Sequence, residues 1–315
     1  MCGIVAFYDP KINEKQAVIG KMMATIKHRG PSSDGYYTND EVALGFRRLS
    51  IIDLRGGTQP IYNEDKTRAI IFNGEIYNFK PLREQLIKAG HTFTTKADTE
   101  VLLHGYEEWG MDGLLKKVRG MFAFLIWDDN NKTLYGARDF FGIKPMYYSN
   151  QDGHLLVGSE LKSFLEYPKF KRELNVEAVK PYLMNQYNDL EETFFKGVYR
   201  FPAGHWFEYK DGEMKTHQYW DAEYKENSLS FEETLKRIND DLKETVDLYR
   251  NADVKVGAFL SEGIDSSYLT TLLNPDDVFS VSFDDSTYDE ASKAKALADI
   301  NHWKFFSDKV DADEA

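Results

Sequence analysis

The second residue of the chain, Cys2, is its only cysteine and directly follows Met1. Because a small second residue permits removal of the methionine, Cys2 can become N-terminal, with a thiol and a free α-amine on one residue. An α-amine has a reference pKa of about 7.7 to 8.0, so roughly a quarter of it is neutral near pH 7.4 and can accept a proton. A base beside a thiol is the arrangement that nucleophilic catalysis needs. The alternative is a lone cysteine that fills a small space in a core.

A second candidate is the pair Asn73-Gly74 in the segment FNGEIYN. An amide side chain and a glycine N–H are neutral hydrogen-bond donors that can be fixed around a developing negative charge, as in an oxyanion hole. The same dipeptide is typical of the two-residue type I′ turn of a hairpin. The residues alone leave both interpretations open.

Two charged residues occupy positions where burial is expected. If EVALGFRRLSI is a strand, Arg48 shares a face with Val42, Leu44 and Phe46. An unpaired guanidinium is costly there, and an anionic guest would relieve that cost. Asp98 precedes the helical pattern TEVLLHGYEEW, so it can be a helix N-cap, a ligand for a cationic group, or both. For Arg48 the alternative is a pairing with a structural carboxylate.

A third candidate is the segment VGAFLSEGIDSSYL, which places a short polar loop between an apolar strand and a helix. Backbone N–H groups in such a loop, together with a helix N-terminus, attract phosphate. The sequence contains no Walker loop, dinucleotide fingerprint or zinc-spaced cluster, so no metal ligand is assigned. The alternative is an ordinary strand-to-helix loop.

These residues need elements to position them, and the first half of the chain supplies strands and helices in turn. The helices are predicted over residues 16–27, 81–89 and 99–109. Turn signals at DDNNK, NQDG and KDGE predict hairpins, which favour antiparallel sheets. The predicted strands are GIVAFY, EVALGFRRLSII, RAIIFN, MFAFLIW and TLYGAR. Helices packed on such sheets give a layered α+β domain.

The pattern changes after about residue 228. A long helix over residues 231–249 is followed by the strand VGAFL, a helix from Ser266, the strand VFSVSF, another helix and a strand around residues 303–306. Alternating strands and helices predict a parallel α/β sheet. The chain stops at Ala315 with that sheet unfinished, so we expect a fragment of a longer protein.

Length and composition limit the class of protein. At 315 residues the chain exceeds a usual single domain, so two domains are expected. The formal charge of -13 argues against nucleic-acid and membrane partners. With one cysteine, no export signal and no long apolar run, we expect a reducing, cytoplasmic location.

Seven motifs in order resemble one family over residues 2–204. They are MCGIVAF, RGPSSDG, RRLSIID, FNGEIYN, ADTEVLL, GMFAFLIWD and RDFFGIKPMYY. They are similar to the glutaminase domain of class II glutamine amidotransferases, an N-terminal-nucleophile fold, and FNGEIYN and RRLSIID resemble its asparagine synthetase branch. The resemblance implies a glutaminase domain over residues 2–204 and a connector to about residue 228.

The resemblance also implies roles for the candidate residues. Cys2 would attack the side-chain amide of glutamine to form a thioester, with Asn73 and the N–H of Gly74 as oxyanion donors. Arg48 would bind the α-carboxylate, and Glu75 with Asp98 would bind the α-ammonium. The family suggests that four further residues line the pocket through their backbone: Leu49, Ser50, Ile51 and Ile52.

In the second half, SEGIDSS resembles the pyrophosphate loop S-G-G-x-D-S-S of ATP pyrophosphatases. The matching residues are Ser261, Gly263, Asp265, Ser266 and Ser267, and Leu260 and Val281 correspond to adenine-pocket positions. Glu262 replaces the first glycine of the motif with a charged residue, and the second phosphate motif, S-G-E-G-x-D-E, is absent. Residues 229–315 are therefore interpreted as the incomplete first part of an ATP-pyrophosphatase-like α/β domain.

The implied function is glutamine-dependent asparagine synthesis, in which ammonia from glutamine aminates ATP-activated aspartate. ATP with Mg²⁺ would serve the whole protein, the glutaminase half would need no cofactor, and a homodimer is expected from the family. We expect the fragment to retain only the glutaminase half. Two alternatives are an amidotransferase with another carboxylate acceptor and a non-catalytic module that binds glutamine or nucleotide.

Overall fold

The computed structural model describes residues 1–283 and 290–310. The chain divides into two compact units, Met1–Glu223 and Tyr224–Ala315. No helix in the described ranges is both long and apolar enough to span a bilayer.

The first unit is built on two six-stranded sheets in which every neighbouring pair is antiparallel. The strands are β1 (Gly3–Tyr8), β2 (Ser33–Thr38), β3 (Val42–Arg48), β4 (Ile61–Tyr62), β5 (Arg68–Ile76), β6 (Gly120–Asp128), β7 (Thr133–Arg138), β8 (Tyr147–Gln151), β9 (His154–Gly158), β10 (Tyr199–Arg200), β11 (His205–Lys210) and β12 (Glu213–Gln218). The first sheet has the order β10-β8-β9-β1-β3-β2, and the second has the order β12-β11-β7-β6-β5-β4.

The first unit also contains four α-helices. They are α1 (Lys15–Thr25), α2 (Phe79–Ala89), α3 (Thr99–Leu115) and the short α4 (Val179–Asn185), with 3₁₀ turns at Lys27–Arg29, Leu161–Glu166 and Val176–Ala178. The first sheet packs against α1, and the second sheet packs against α2 and α3.

Alternate side chains of the central strands enter different cores, as the two-residue period of a strand requires. In β1, Ile4 and Ala6 pack between the two sheets, whereas Val5 and Phe7 pack against α1. In β5, Phe72 faces outward into the core beneath α2 and α3. The layers are therefore helix, sheet, sheet and helix, and the predicted layered α+β fold is confirmed.

Most local predictions are confirmed, and two elements extend beyond their predicted ends. The hairpins at DDNNK, NQDG and KDGE are β6–β7, β8–β9 and β11–β12. The sequence predicts that β5 ends at Asn73, but the strand continues to Ile76. The helix predicted to end at Trp109 bends at Gly110, where φ is 65°, and then continues to Leu115.

The second unit contains a three-stranded parallel sheet, as predicted. Its elements are α5 (Phe231–Tyr249), β13 (Ala258–Phe259), α6 (Ile264–Leu273), β14 (Asp277–Phe283), α7 (Ala291–Ile300) and β15 (Lys304–Val310). A reciprocal capping box between Ser230 and Glu233 begins α5. The predicted strand VGAFL is shorter than expected, because only Ala258 and Phe259 pair with β14.

Candidate active site

The register of the first sheet places Cys2 beside the end of β3. Gly3 pairs with Arg47, so the residue before β1 lies next to the residues that follow β3. The Leu49 N–H donates a hydrogen bond to Cys2 Sγ at 3.3 Å, and the thiol in turn contacts the Leu49 carbonyl oxygen at 3.5 Å. The sulfur is therefore fixed by backbone on one side.

Cys2 opens into a cavity of about 190 Å³. That volume is below the range of roughly 300 to 1,000 Å³ that is typical of drug-sized ligand sites, so it suits a small molecule. Nine of the residues predicted for the first site line this cavity together: Cys2, Arg48, Leu49, Ile51, Ile52, Asn73, Gly74, Glu75 and Asp98. Ser50, the remaining predicted member, is not among the lining residues; its N–H approaches Ser32 Oγ at 3.4 Å.

Asn73 and Gly74 lie within a continuous strand, so the alternative that they form a hairpin turn is wrong. They pair with Ala123 and Phe122 of β6. Asn73 is 1% exposed, and its Nδ2 is buried without a hydrogen-bond partner in the described structure. A buried amide donor rarely stays unpaired. Its place on the cavity wall leaves it available to an oxygen of a ligand.

Gly74 is required by close backbone contact. A Cβ at this position would lie 2.1 Å from the Met121 carbonyl oxygen and 2.8 Å from the Phe122 Cα. Any larger residue would push β5 away from β6 and displace Asn73 with it. The glycine therefore fixes the donor wall of the cavity by letting the two strands approach closely.

Arg48 is 5% exposed at the end of β3, on the apolar face predicted for it. Its Nη2 donates to the carbonyl oxygens of Ile52 at 3.0 Å and Asp53 at 2.6 Å, and its Nη1 donates to Leu54 O at 3.4 Å. Within residues 1–283 and 290–310, no carboxylate lies at ion-pair distance from this guanidinium, so the structural ion pair weighed as an alternative is not observed. Three of its five N–H groups are occupied, and the others can bind a guest anion.

Asp98 immediately precedes α3, but its side chain does not cap that helix. Instead, Asp98 Oδ2 accepts from the Ile76 N–H at 2.9 Å, which ties the start of α3 to the end of β5. Burial raises the pKa of Asp98 to about 7, and the nearby charge of Glu75 adds to the increase, although the Ile76 hydrogen bond opposes it. Burial also raises the pKa of Glu75, against the effect of Lys144. Two adjacent carboxyl groups that resist ionisation form a site for a cation.

We expect Asp98→Asn to stabilise the protein near pH 8, because the amide keeps an acceptor for the Ile76 N–H without a buried charge. The pKa of Asp98 is 3.8 in the unfolded chain and about 7 in the native state. Between those values the native state holds a proton that the unfolded state has lost, so the wild-type protein loses stability as pH rises from 3.8 to 7. At 1.36 kcal/mol per pKa unit the difference approaches about 4 kcal/mol.

Urea unfolding of both proteins tests this expectation. The variant should be more stable near pH 8, and the two free energies of unfolding should converge near pH 4, which serves as an internal control. Equal free energies of unfolding near pH 8 would show that folding does not raise the pKa of Asp98.

A thiol that acts as a nucleophile needs a base to accept its proton. Burial raises the pKa of Cys2, and the Leu49 N–H, the N-terminal ammonium and Arg48 offset only part of that increase. The amine of Met1 is a nearby base. Burial lowers its pKa, Cys2 opposes this effect, and the cations Arg29 and Lys144 lower the pKa further. Removal of Met1 would transfer this amine function to Cys2 itself.

Three further residues contribute to the site, although the sequence predicted no role for them. Arg29 Nε donates to the Cys2 carbonyl oxygen at 2.9 Å, and its Nη1 pairs with Glu160 at 3.1 Å. Lys144 lines the cavity with 6% of its surface exposed. Gln59 accepts from the Phe72 N–H at 2.6 Å and so holds β5 directly before Asn73. Arg29 and Lys144 lie inside the quoted motifs RGPSSDG and RDFFGIKPMYY, which is the signal that could have identified them.

The loop of the second unit is partly ordered by its own hydroxyl groups. Ser261 Oγ and Ser266 Oγ lie 2.7 Å apart, and the Gly263 N–H donates to Ser261 Oγ at 3.1 Å. Gly263 is the N-cap residue of α6, so the loop opens onto a helix N-terminus. Glu262, the residue that differs from the phosphate motif, pairs with Lys293 at 2.6 Å, so its negative charge is offset.

The other predicted nucleotide residues are less closely grouped. Asp265 lies in the exposed first turn of α6, and Ser267 follows in the same helix. Leu260 is buried in the small core of the unit, whereas Val281 is 44% exposed on β14. The described structure therefore brings Ser261, Gly263 and Ser266 together, whereas the assignment of Leu260 and Val281 to an adenine pocket stays a prediction.

Comparison with known proteins gives matches for both units. The glutamine amidotransferase domain family matches residues 1–220, and the asparagine synthase family matches residues 237–314. Asparagine synthetase (glutamine-hydrolyzing) 1 of Bacillus subtilis is 39% identical over 95% of this chain and 48% of that protein. Amidase chyE of Penicillium rubens is 36% identical over 85% of this chain and 42% of that protein. The chain thus spans about half the length of the curated relatives it matches.

The fold also resembles a solved structure. Glutamine phosphoribosylpyrophosphate amidotransferase from B. subtilis, determined with ADP and GMP, aligns with 97% of this chain and 65% of its own, with a TM-score of 0.52 and 16% sequence identity. At that identity the likeness concerns the fold alone.

Proposed function

Because the chain belongs to the glutamine amidotransferase domain family, we propose that its first unit hydrolyses glutamine to glutamate and ammonia with Cys2 as the nucleophile. The observation that carries this proposal is the shared cavity. A cavity of about 190 Å³ is lined by a thiol and by two carboxyl groups that resist ionisation. It is also lined by a buried amide donor and a guanidinium that have, among the residues the structure describes, no hydrogen-bond partner and no carboxylate partner respectively.

The charges on the cavity wall match a zwitterionic amino acid. Arg48 would bind the α-carboxylate with its remaining N–H groups, and Glu75 and Asp98 would bind the α-ammonium. The ammonium would supply a countercharge to both carboxyl groups, in addition to the charge of Lys144 near Glu75, so binding would lower their pKa values. With both α-groups held, the side-chain amide is left for Cys2, Asn73 and Gly74.

The chemistry follows from the groups present once Met1 is removed. The neutral α-amine of Cys2 takes the thiol proton, and Sγ forms a bond to the amide carbon. The oxyanion accepts hydrogen bonds from Asn73 Nδ2 and the Gly74 N–H. The protonated amine then gives its proton to the amide nitrogen, the carbon–nitrogen bond breaks, and ammonia leaves a thioester. Water, deprotonated by the same amine, hydrolyses the thioester and restores the thiol.

We expect Arg48→Gln to weaken glutamine binding more than it slows turnover. A glutamine side chain keeps a neutral N–H donor at this position, but it cannot balance the charge of the α-carboxylate. Loss of a buried charge partner costs about 2 kcal/mol or more, equivalent to an increase in KM of roughly 30-fold. Because Arg48 acts on a group remote from the reacting amide, kcat should change less.

Arg47→Gln is the matched control for this variant. Arg47 precedes Arg48 in β3 and pairs outward with Asp34 at 2.9 Å. Its loss should leave KM unchanged. An equal KM increase in both variants would indicate damage to the strand and would remove the assigned role of Arg48.

For the whole protein we propose glutamine-dependent asparagine synthesis, with residues 2–204 as the glutaminase domain, a connector to about residue 228, and residues 229–315 as the first part of an ATP-pyrophosphatase-like domain. Its substrates would be glutamine, aspartate and ATP with Mg²⁺. Leu260, Ser261, Gly263, Asp265, Ser266, Ser267 and Val281 would contribute to the nucleotide site. The helix N-terminus at Gly263 supports phosphate binding there. A cytoplasmic location and a homodimer belong to the same proposal.

A second candidate keeps the glutaminase but changes the acceptor of ammonia. It is favoured by the similarity to a relative named as an amidase. Product analysis of the longer protein with glutamine, ATP and either aspartate or other carboxylates would separate the two candidates.

Glutamate release from L-glutamine by the untagged chain tests the glutaminase proposal itself. We expect turnover by protein that lacks Met1 and none with D-glutamine, whose α-groups would be exchanged between Arg48 and Asp98. Folded, processed protein that releases no glutamate would contradict the proposal.

A further inference from the structure

A second group of polar side chains lies apart from the cavity, where the β4–β5 loop and the segment after α2 meet α3. It consists of Glu64 in the β4–β5 loop, His91 directly after α2, and His104 and Glu107 of α3. One donor atom from each residue lies within 4.8 Å of every other. None of the four lines the cavity around Cys2, and the proposed hydrolysis of glutamine uses none of them.

The donor atoms are spaced as a small metal ion requires. His104 Nδ1 lies 2.9 Å from Glu107 Oε2 and 3.7 Å from Glu64 Oε2. His91 Nδ1 lies 3.8 Å from Glu64 Oε1 and 3.9 Å from Glu107 Oε2. Ligand bonds of about 2.0 to 2.2 Å in a tetrahedron separate neighbouring donors by roughly 3.3 to 3.6 Å. The observed distances lie on both sides of that value, so small side-chain movements would complete the geometry.

Each histidine also has a carboxylate near its other ring nitrogen, at hydrogen-bond distance for His91 only. His104 Nε2 lies 3.7 Å from Glu100 Oε1, and His91 Nε2 lies 3.3 Å from Glu108 Oε2. A metal-binding histidine ordinarily directs its second N–H to a carboxylate, which fixes the ring and its tautomer. Here both rings point their Nδ1 atoms toward the cluster and their Nε2 atoms toward such a partner.

The surrounding contacts hold the carboxylate of Glu107 in place. Its Oε1 accepts from Asn63 Nδ2 at 2.7 Å and from Arg68 Nη1 at 3.0 Å, while Oε2 faces the two histidines. His104 is fully buried, and its Nε2 has no hydrogen-bond partner in the described structure. Two carboxylates and two neutral imidazoles would balance the charge of a divalent ion.

We propose that Glu64, His91, His104 and Glu107 bind one divalent transition-metal ion of the Zn²⁺ type. Two imidazole nitrogens favour such an ion over Mg²⁺ or Ca²⁺, which prefer oxygen donors. Four protein donors close the coordination sphere, so the role is structural. The ion would join the β4–β5 loop and the segment after α2 to α3, the helix that Asp98 precedes at the cavity.

Zn²⁺ titration of the full, untagged chain in the Cys2→Ala background tests this proposal, because that background removes the competing thiol ligand. We expect one equivalent to bind and to raise Tm by about 5 °C or more when free Zn²⁺ is about 100 times Kd. His91→Ala and Glu64→Gln should abolish that binding; both positions are partly exposed, so the variants should fold. Glu108→Gln should weaken binding about 10-fold through the ring of His91.

His217→Ala is the matched control, since His217 also lies near a carboxylate, Glu208, at 3.9 Å but outside the cluster. It should bind Zn²⁺ like its parent. The proposal fails if the parent binds no Zn²⁺ at micromolar concentration. It also fails if His91→Ala and Glu64→Gln bind as tightly as His217→Ala, or if anomalous scattering at the zinc edge places the ion elsewhere.

Discussion

Cys2→Ala is expected to abolish glutamine hydrolysis, lowering kcat by at least about 10⁴-fold. The substitution removes the only sulfur that can form a thioester, while alanine is small enough to permit removal of Met1. Asn73, Arg48 and Asp98 are untouched, so the cavity should still bind glutamine. Glutamate release measures the loss of turnover, and calorimetric titration with L-glutamine measures the retained binding.

The split between lost turnover and retained binding is the informative result. If binding disappears together with turnover, unfolding of the β1 start must be tested by circular dichroism before the role of the thiol is judged. Hydrolysis at the wild-type rate in Cys2→Ala would reject Cys2 as the nucleophile outright.

Asn73→Ala is expected to lower kcat by about 10² to 10³-fold with little change in KM. Its Nδ2 would hydrogen-bond the oxyanion, which exists only after attack, so the loss should fall on the chemical step. The same Nδ2 is buried without a partner in the described part of the chain. Its removal should therefore leave the free energy of unfolding unchanged or raise it, because no hydrogen bond made by Nδ2 is lost.

Asn175→Ala provides the opposite pattern as a control. Asn175 is also buried, but its side chain accepts from the Glu177 N–H at 3.2 Å and donates to the Thr193 carbonyl oxygen at 3.0 Å. Its loss should lower stability and leave kcat intact. If Asn73→Ala instead behaves like Asn175→Ala, Asn73 is a structural residue and the oxyanion assignment is wrong.

Much of the fold was accessible from the sequence because its signals are local. Turn residues in DDNNK, NQDG and KDGE fix three hairpins, and period-two burial fixes which residues of β1 and β3 face the core. The position of Arg48 on an apolar face followed from the same counting. Such patterns depend on residues that are close in the chain, so long-range contacts do not change the structure they predict.

Asn73-Gly74 shows where local preference fails. The dipeptide prefers a turn, yet β6 pairs with β5 beyond it, up to Ile76 with Gly120. Close contact with the Met121 carbonyl oxygen demands a glycine at residue 74 for a reason that no turn rule contains. Long-range pairing therefore outweighs turn preference at the site.

Contacts between residues that are distant in the chain could not be predicted from the sequence either. Arg29 donates to the Cys2 carbonyl oxygen across 27 residues, and Lys144 lines the cavity although the motif RDFFGIKPMYY predicts no role for it. The four residues of the proposed metal site are spread from Glu64 to Glu107, and their spacing matches no recognised metal-binding motif. Only the packing of α2 and the β4–β5 loop beside α3 brings them together.

Mass spectrometry after treatment with a diazoketone analogue of glutamine tests the central claim most directly. Since Cys2 is the only cysteine, the account predicts one adduct per chain, on an N-terminal peptide that begins with Cys2, and protection by excess L-glutamine. An unmodified Cys2 in folded, processed protein, or an adduct on another residue, would contradict it.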